Sequence, residues 1–291
     1  MTLPGVLDVL IQGVLVGGLY ALFAIGLSLM FGVMRLVNIA HGDVIVLGAF
    51  LAIAAASLAG ADLVPIFALI APVMFALGYM LQRSVLNAAL GRGILPPLLL
   101  SFGLSIMIEN ILLEVFSADA RSLRAGGLET QSVALGGDLA VGVLPIMTFA
   151  VALGCTWTLE LLFRHTPVGR AFRAASDDPE TAQLQGVDHR KVYALATAIA
   201  FLDVAIAGVF LALRTTVTPS DGPGYLLYSF EAVIIGGLGS FWGTFAGALI
   251  LGVAQTAGFR WDPGWGVLLG HLAFLGILLA RPQGLFPKTR D

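Results

Sequence analysis

Charge is what this chain most lacks. Only 11% of its 291 residues are Asp, Glu, Lys or Arg, against about 25% in a soluble domain. Lysine occurs twice, at Lys191 and Lys288, and neither follows a G-x-x-x-x-G pattern. A P-loop is therefore absent, and any ATP has to be hydrolysed by another chain. The single cysteine, Cys155, sits in an apolar run. It has no partner for an internal disulfide and reads as a packed thiol. The four histidines show no H-E-x-x-H spacing, and no Ser/His/Asp set is supported by local sequence. No catalytic, cofactor or metal site is expected. No basic block points to nucleic acid. The first basic residue is Arg35, so the positive n-region of a secretory signal is missing and the first apolar run is expected to stay as a membrane helix. Period-two alternation is absent, which argues against an outer-membrane barrel.

What remains is mostly apolar. Hydrophobic residues make up 58% of the chain and mean hydropathy is +0.95. Repeated apolar stretches near bilayer length imply an all-α, polytopic integral membrane protein forming one membrane domain over residues 1–291. Crossings are expected at Val6–Val33, Val37–Leu58, Leu63–Gln82, Ile94–Phe116, Val143–Phe163, Val192–Leu213, Tyr225–Leu238, Phe241–Gly258 and Gly264–Ala280. That makes eight or nine transmembrane helices, counting the seventh as short or broken. Its 14 residues rise only ~21 Å against a ~30 Å core. A break at Gly236-Gly237 would then need shielding by protein or a water-lined cavity.

With the N-terminus outside, eleven basic residues fall on inner segments and four on outer ones. The inner set is Arg35, Arg83, Arg92, Arg164, Arg170, Arg173, Arg190, Lys191, Arg281, Lys288 and Arg290. The positive-inside bias puts the C-terminus and the 164–191 segment in the cytoplasm. The longest outer loop, Ser117–Gly142, mixes Arg121, Arg124, Asp119, Glu129 and Asp138 with glycines. Its length permits an external partner to dock, and an unstructured connector is the plainer reading.

The 164–191 segment is a polar island carrying five of the fifteen basic residues. Asp177 or Asp178 can cap a helix there. Pro179 fits the first helical position, Glu180 suits the positive helix end, and Gly186 can take the left-handed stop. A helix over Pro179–Gln185 is expected. At two turns it needs a docking surface, and Ala174, Ala175 and Ala182 would let that surface approach. The bland alternative is a solvated loop.

Asn38, His41 and Asp43 lie in an apolar stretch, where a charge facing lipid costs about 2.5–3.5 kcal/mol. In a regular helix Asn38 and His41 share a face, and Gly42 permits a break or a close crossing. The cluster reads either as a discontinuous helix near a translocation path or as a polar tie between two helices. Gly239, Gly243 and Gly247 recur every four residues, and Gly13 and Gly17 form a weaker copy. Such spacing suits close helix packing, within the chain or against a second subunit, or a path lining. Glu231 precedes the Gly236-Gly237 bend. Asp203, Glu109, Asn110 and Glu114 are further polar groups in or near spans. Acids there can relay protons or pair inside a bundle. His271 stands alone in the last span as a helix-contact residue.

Three stretches carry a resemblance. Thr166-Pro-Val-Gly-Arg-Ala-Phe-Arg-Ala-Ala-Ser-Asp-Asp-Pro-Glu-Thr-Ala-Gln-Leu-Gln-Gly-Val187 resembles the coupling segment of the branched-chain amino acid (LivH-type) permeases of bacterial ABC importers. Gly26-Leu-Ser-Leu-Met-Phe-Gly-Val-Met-Arg-Leu-Val-Asn-Ile-Ala-His-Gly-Asp43 and Glu231-Ala-Val-Ile-Ile-Gly-Gly-Leu-Gly-Ser-Phe-Trp-Gly243 resemble that family's N- and C-terminal signatures, and Arg281-Pro-Gln-Gly-Leu-Phe286 fits too. The resemblance implies an inner-membrane permease moving leucine, isoleucine or valine. Relatives in the family carry other amino acids, amides or urea. Two ATP-binding cassette subunits would use ATP and Mg in the cytoplasm. A second permease, related or identical, and an extracytoplasmic binding protein would complete the machine. Gly169, Arg170, Arg173, Asp178, Pro179, Glu180, Ala182 and Gly186 are the residues implied at the ATPase contact. Two rivals stay open: an ion-coupled carrier using Asp203 or Glu231, and a structural subunit that only holds partners.

Overall fold

The computed structural model describes residues 3–60, 62–91, 93, 95–124, 126–136 and 139–286. Arg92, the Ile94 boundary, Asp138, Lys288 and Arg290 lie outside the described residues. Among the described residues twelve α-helices run in the order α1 (Leu3–Met34), α2 (His41–Ala59), α3 (Leu63–Leu81), α4 (Asn87–Ala89), α5 (Leu95–Phe116), α6 (Val143–His165), α7 (Pro167–Asp177), α8 (Pro179–Leu184), α9 (His189–Arg214), α10 (Gly222–Gly236), α11 (Phe241–Trp261) and α12 (Trp265–Ala280). Each of the nine expected apolar segments contains a helix, with residues 37–40 and Gly237-Leu238 left outside it. Seven, counting α3 through α4 as one, are long and apolar enough to cross a membrane, whereas α10 and α12 are shorter. The chain is an all-α polytopic membrane protein.

Two helices form the centre. α1 and α9 are largely buried, and they pack on each other, with α11 on α1 and α2 and α3 on α9. Small residues set the spacing. A methyl group on Gly13 or Gly17 would press on the backbone of Val253 or Leu249, and one on Gly252 on the backbone of Gly13 and Gly17. The weaker glycine pair is thus the tight α1–α11 crossing. α3, α5 and α6 expose most of their length. α3 does not stop at Gln82 as expected. A π turn, Gln82–Leu86, carries it into α4, and buried Gln82 accepts a hydrogen bond from Thr197 of α9 at 2.8 Å.

The Ser117–Gly142 loop is more than a connector. Strands β1 (Ser132–Gly136) and β2 (Leu139–Gly142) pair antiparallel within it. Arg121 bridges Val217, and the Leu123 N–H donates to Ala212 O at 2.8 Å. Backbone pairing with the far end of α9 holds what composition presented as loose chain.

Candidate functional site

Two stretches of irregular backbone enter the bundle. After Met34 the chain leaves the helix at Arg35, with φ +53°, and α2 begins only at His41. The His41 ring bonds Phe23 O at 2.7 Å. Phe23 lies eleven residues before Met34, about 16 Å back along α1. The Arg35–Ala40 link therefore runs back into the protein before α2 starts. Asn38 belongs to this link and shares no helix face with His41, which corrects the sequence expectation. Its carboxamide accepts from the Ala40 N–H at 3.1 Å, and Ser101 accepts from the Ile39 N–H at 3.2 Å. Polar side chains replace the missing helix bonds, as a buried break requires.

The second stretch leads from Arg214 to α10. A capping box at Thr218 and Asp221 starts a 3-10 turn, and α10 begins at Gly222, directly against α2. A methyl group on Gly42 would collide with the Gly222 carbonyl, and one on Gly222 with the Asp43 carboxyl. Gly42 is thus a close crossing, and Asn38, His41 and Asp43 are all buried. The two helix starts meet at one depth inside the bundle. A break between α1 and α2 and a close crossing of α2 with α10 thus coincide at this place.

At its other end α10 stops at Gly236, where Gly237 turns with φ +103°, as the glycine pair suggests. The free carbonyls find donors in the C-terminal segment. The Leu285 N–H bonds Ile235 O and the Phe286 N–H bonds Gly236 O, both at 2.9 Å. Arg281–Phe286 is thus the cap of the broken helix. Gly239 precedes α11, with φ +77°, and meets Gly32 of α1. The helical glycine repeat therefore has two members, Gly243 and Gly247, and both face α10 at Gly236 and Ala232. Glu231 is buried and pairs with His271 of α12. His271 is the helix-contact residue expected, since Tyr228 of α10 also stacks on its ring. Asp203 accepts from the Gly26 N–H at 3.0 Å. Asn110 is exposed and bonds its own Ile106 O, while Glu114 is exposed near the end of α5.

The polar island forms two helices. Thr166 caps α7 by accepting from the Gly169 N–H at 3.1 Å, with Pro167 at the first helical position. The Thr-Pro pair is a start signal that the sequence reading passed over. α7 lays Gly169, Phe172 and Ala175 inward. A methyl group on Gly169 would strike the Phe163 carbonyl. Arg173 donates to Phe163 O and lies over the Phe163 ring, so it is held by its own chain, whereas Arg170 is exposed. Asp177 closes α7, and Asp178 caps α8, accepting from Glu180 and Thr181 N–H at 3.0 and 3.1 Å. Hydrogen bonds from the Thr181 side chain and from the backbone hold the Asp178 carboxyl below the usual carboxylate range. Gly186 takes φ +85°. Ala182 and Ala175 are buried within the chain, so they seat the helices on their own bundle and do not receive an outside surface, as the sequence suggested. Pro179 is half-buried and Glu180 exposed. What α8 presents outward is Leu184, 84% exposed, which sequence reading did not single out.

The island and the C-terminal segment share one end of the molecule. Arg35, Arg173, Ser176, Leu238 and Gln283 line a single cavity there. A sequence profile described as "branched-chain amino acid transport system / permease component" matches residues 9–278. The chain belongs to this family. Among its relatives, the high-affinity branched-chain amino acid permease protein BraD of Pseudomonas aeruginosa is 32% identical over 298 residues, covering 97% of this chain and 96% of the relative. LivH of Salmonella typhimurium is 28% identical over 307 residues, with the same coverage. The ribose import permease RbsC of Haemophilus influenzae is 25% identical over 70% of this chain and 64% of its own. No solved structure matches. The family is one of transport permeases, and the island with its two caps lies within the matched residues.

Proposed function

We infer that the chain is the membrane-spanning subunit of a bacterial ABC importer for branched-chain amino acids, set in the inner membrane with α7, α8 and the C-terminus in the cytoplasm. Two ATPase subunits supply ATP hydrolysis with Mg. A second permease, identical or related, completes the path, and a soluble binding protein delivers substrate from outside. The names of the relatives support the substrate class. The observation that carries the coupling is α8. It is a two-turn helix capped at both ends and seated through Ala182, with a large apolar side chain left uncovered at the tip. A rigid lever with an exposed apolar end suits a partner that pushes.

ATP binding closes the ATPase pair and moves α8, which biases the bundle between its inward- and outward-facing states. Arg170, Asp178, Pro179, Glu180 and Gly186 shape and present α8, and Arg173 and Gly169 brace α7 behind it. The deep helix starts around Asn38, Gly42 and Asp43, with the α10 bend at Gly236-Gly237, are the elements placed to change with that motion. In vesicles holding the full importer, Pro179→Gly with Glu180→Lys is expected to abolish uptake while ATPase activity persists and membrane insertion is normal. Unchanged uptake would refute the coupling role. An ionophore that stops uptake when ATP is plentiful would favour instead a carrier built on Asp203 or Glu231.

A further inference from the structure

The cavity at the α7–α8 end has a volume of about 770 Å³, within the range of about 300–1,000 Å³ usual for small-molecule sites. Its wall combines two kinds of group. Phe31, Ile234 and Leu238 give apolar surface, and Arg35, Arg173 and Asp177 bring charge of both signs. The other guanidinium on the wall, Arg164, is already paired with Glu160. The ion pairs among the described residues leave out Arg35, Arg173 and Asp177, and Arg173, which gives one of its five N–H donors to Phe163 O, keeps others for a ligand.

We propose that this cavity is a second, product-side binding site for a free α-amino acid with an apolar side chain. Its carboxylate is met by Arg35 and Arg173, its ammonium by Asp177, and its side chain by Phe31, Ile234 and Leu238. The proposal rests on the amino-acid reading of the transport function and adds to it a place where released product rebinds. A zwitterion needs both signs of charge beside apolar surface, and this wall has all three. An anionic phosphate group would use the guanidiniums but face repulsion from Asp177. The wall also joins elements that matter for coupling. Asp177 ends α7 directly before the α8 cap, and the Ser176 hydroxyl bonds Gly32 O of α1 at 2.8 Å. Product in the cavity holds α7 against α1 and α10, and so slows the next stroke of α8. Accumulated amino acid then restrains its own import.

The test uses the complete importer in liposomes, with its ATPases and binding protein. Leucine loaded inside is expected to lower both initial uptake and ATPase activity by about fivefold or more. Arg35→Gln and Asp177→Asn should each relieve that inhibition and leave uptake into empty liposomes intact. Equilibrium dialysis of the wild-type permease–ATPase complex without binding protein should find leucine bound, and each variant should lose it. Uninhibited wild type, or inhibition unchanged in both variants, overturns the site. So does native mass spectrometry showing a phospholipid retained in place of leucine and released by Arg35→Gln. Absence of leucine uptake into empty liposomes would instead overturn the transport reading, so the two failures are distinct.

Discussion

Asp178 accepts hydrogen bonds from the backbone N–H groups of Glu180 and Thr181 and from the Thr181 hydroxyl. These bonds favour the ionised carboxyl and depress its pKa in the folded state. The sign follows: the cap's contribution is fully present above the unfolded carboxylate pKa and is lost as pH falls through the folded one. Hydrogen exchange at the Thr181 amide should therefore be slow at neutral pH and quicken relative to its intrinsic rate on acidification, and Asp178→Ala should make it fast throughout. Gly42 tests the deep crossing. Gly42→Ala drives a methyl group into the Gly222 carbonyl, and overpacking of this kind costs roughly 1–3 kcal/mol. A lower melting temperature in detergent is expected, and an unchanged one would argue against the close contact. Asp178, Pro179 and Gly186 were legible in the sequence because caps and stops act locally. The pairing of Glu231 with His271, forty residues apart, was not, because nothing in the sequence around either residue names its partner.

The broken helix α10 shows what sequence pattern reveals about an element and what it conceals. Its C-terminal stop was readable from Gly236-Gly237. Its start carries an equally local mark, the Thr218–Asp221 capping box with Pro219 between, but local pattern does not say that this start lies buried against α2. The Arg35–Ala40 link escaped notice for a similar reason. Leu36, Val37 and Ile39 are as apolar as a helix would be, and hydropathy does not report depth. The π turn at Gln82–Leu86 has no glycine or proline to mark it and depends on Thr197 of another helix. The C-terminal cap gives a prediction at this scale. Truncation before Gly284 removes the bonds from Leu285 and Phe286 to the last turn of α10, about 0.5–1.5 kcal/mol each. Thermal unfolding should shift down, and substitution of Leu285 by Ala, which keeps the N–H, should shift it less.

At the level of the whole molecule, nine apolar segments could be read because a run of apolar residues is a strong and local signal, though only seven prove long enough among the described residues to cross a membrane. How they pack could not, because the contacts of α1 with α9 and α11 span most of the chain. The polar island, the α10 stop and the C-terminal cap sit together at one end of this bundle, and the central claim is that an ATP-hydrolysing partner grips that end through α8. A photo-crosslinking residue at Leu184 in cell membranes tests this most directly. The account predicts a crosslink to the ATP-binding subunit, together with labelling of Leu184→Cys by a membrane-impermeant thiol reagent in inside-out vesicles and not in intact spheroplasts. Labelling of that position from outside, or a crosslink pattern lacking the ATPase in a functioning importer, would contradict it.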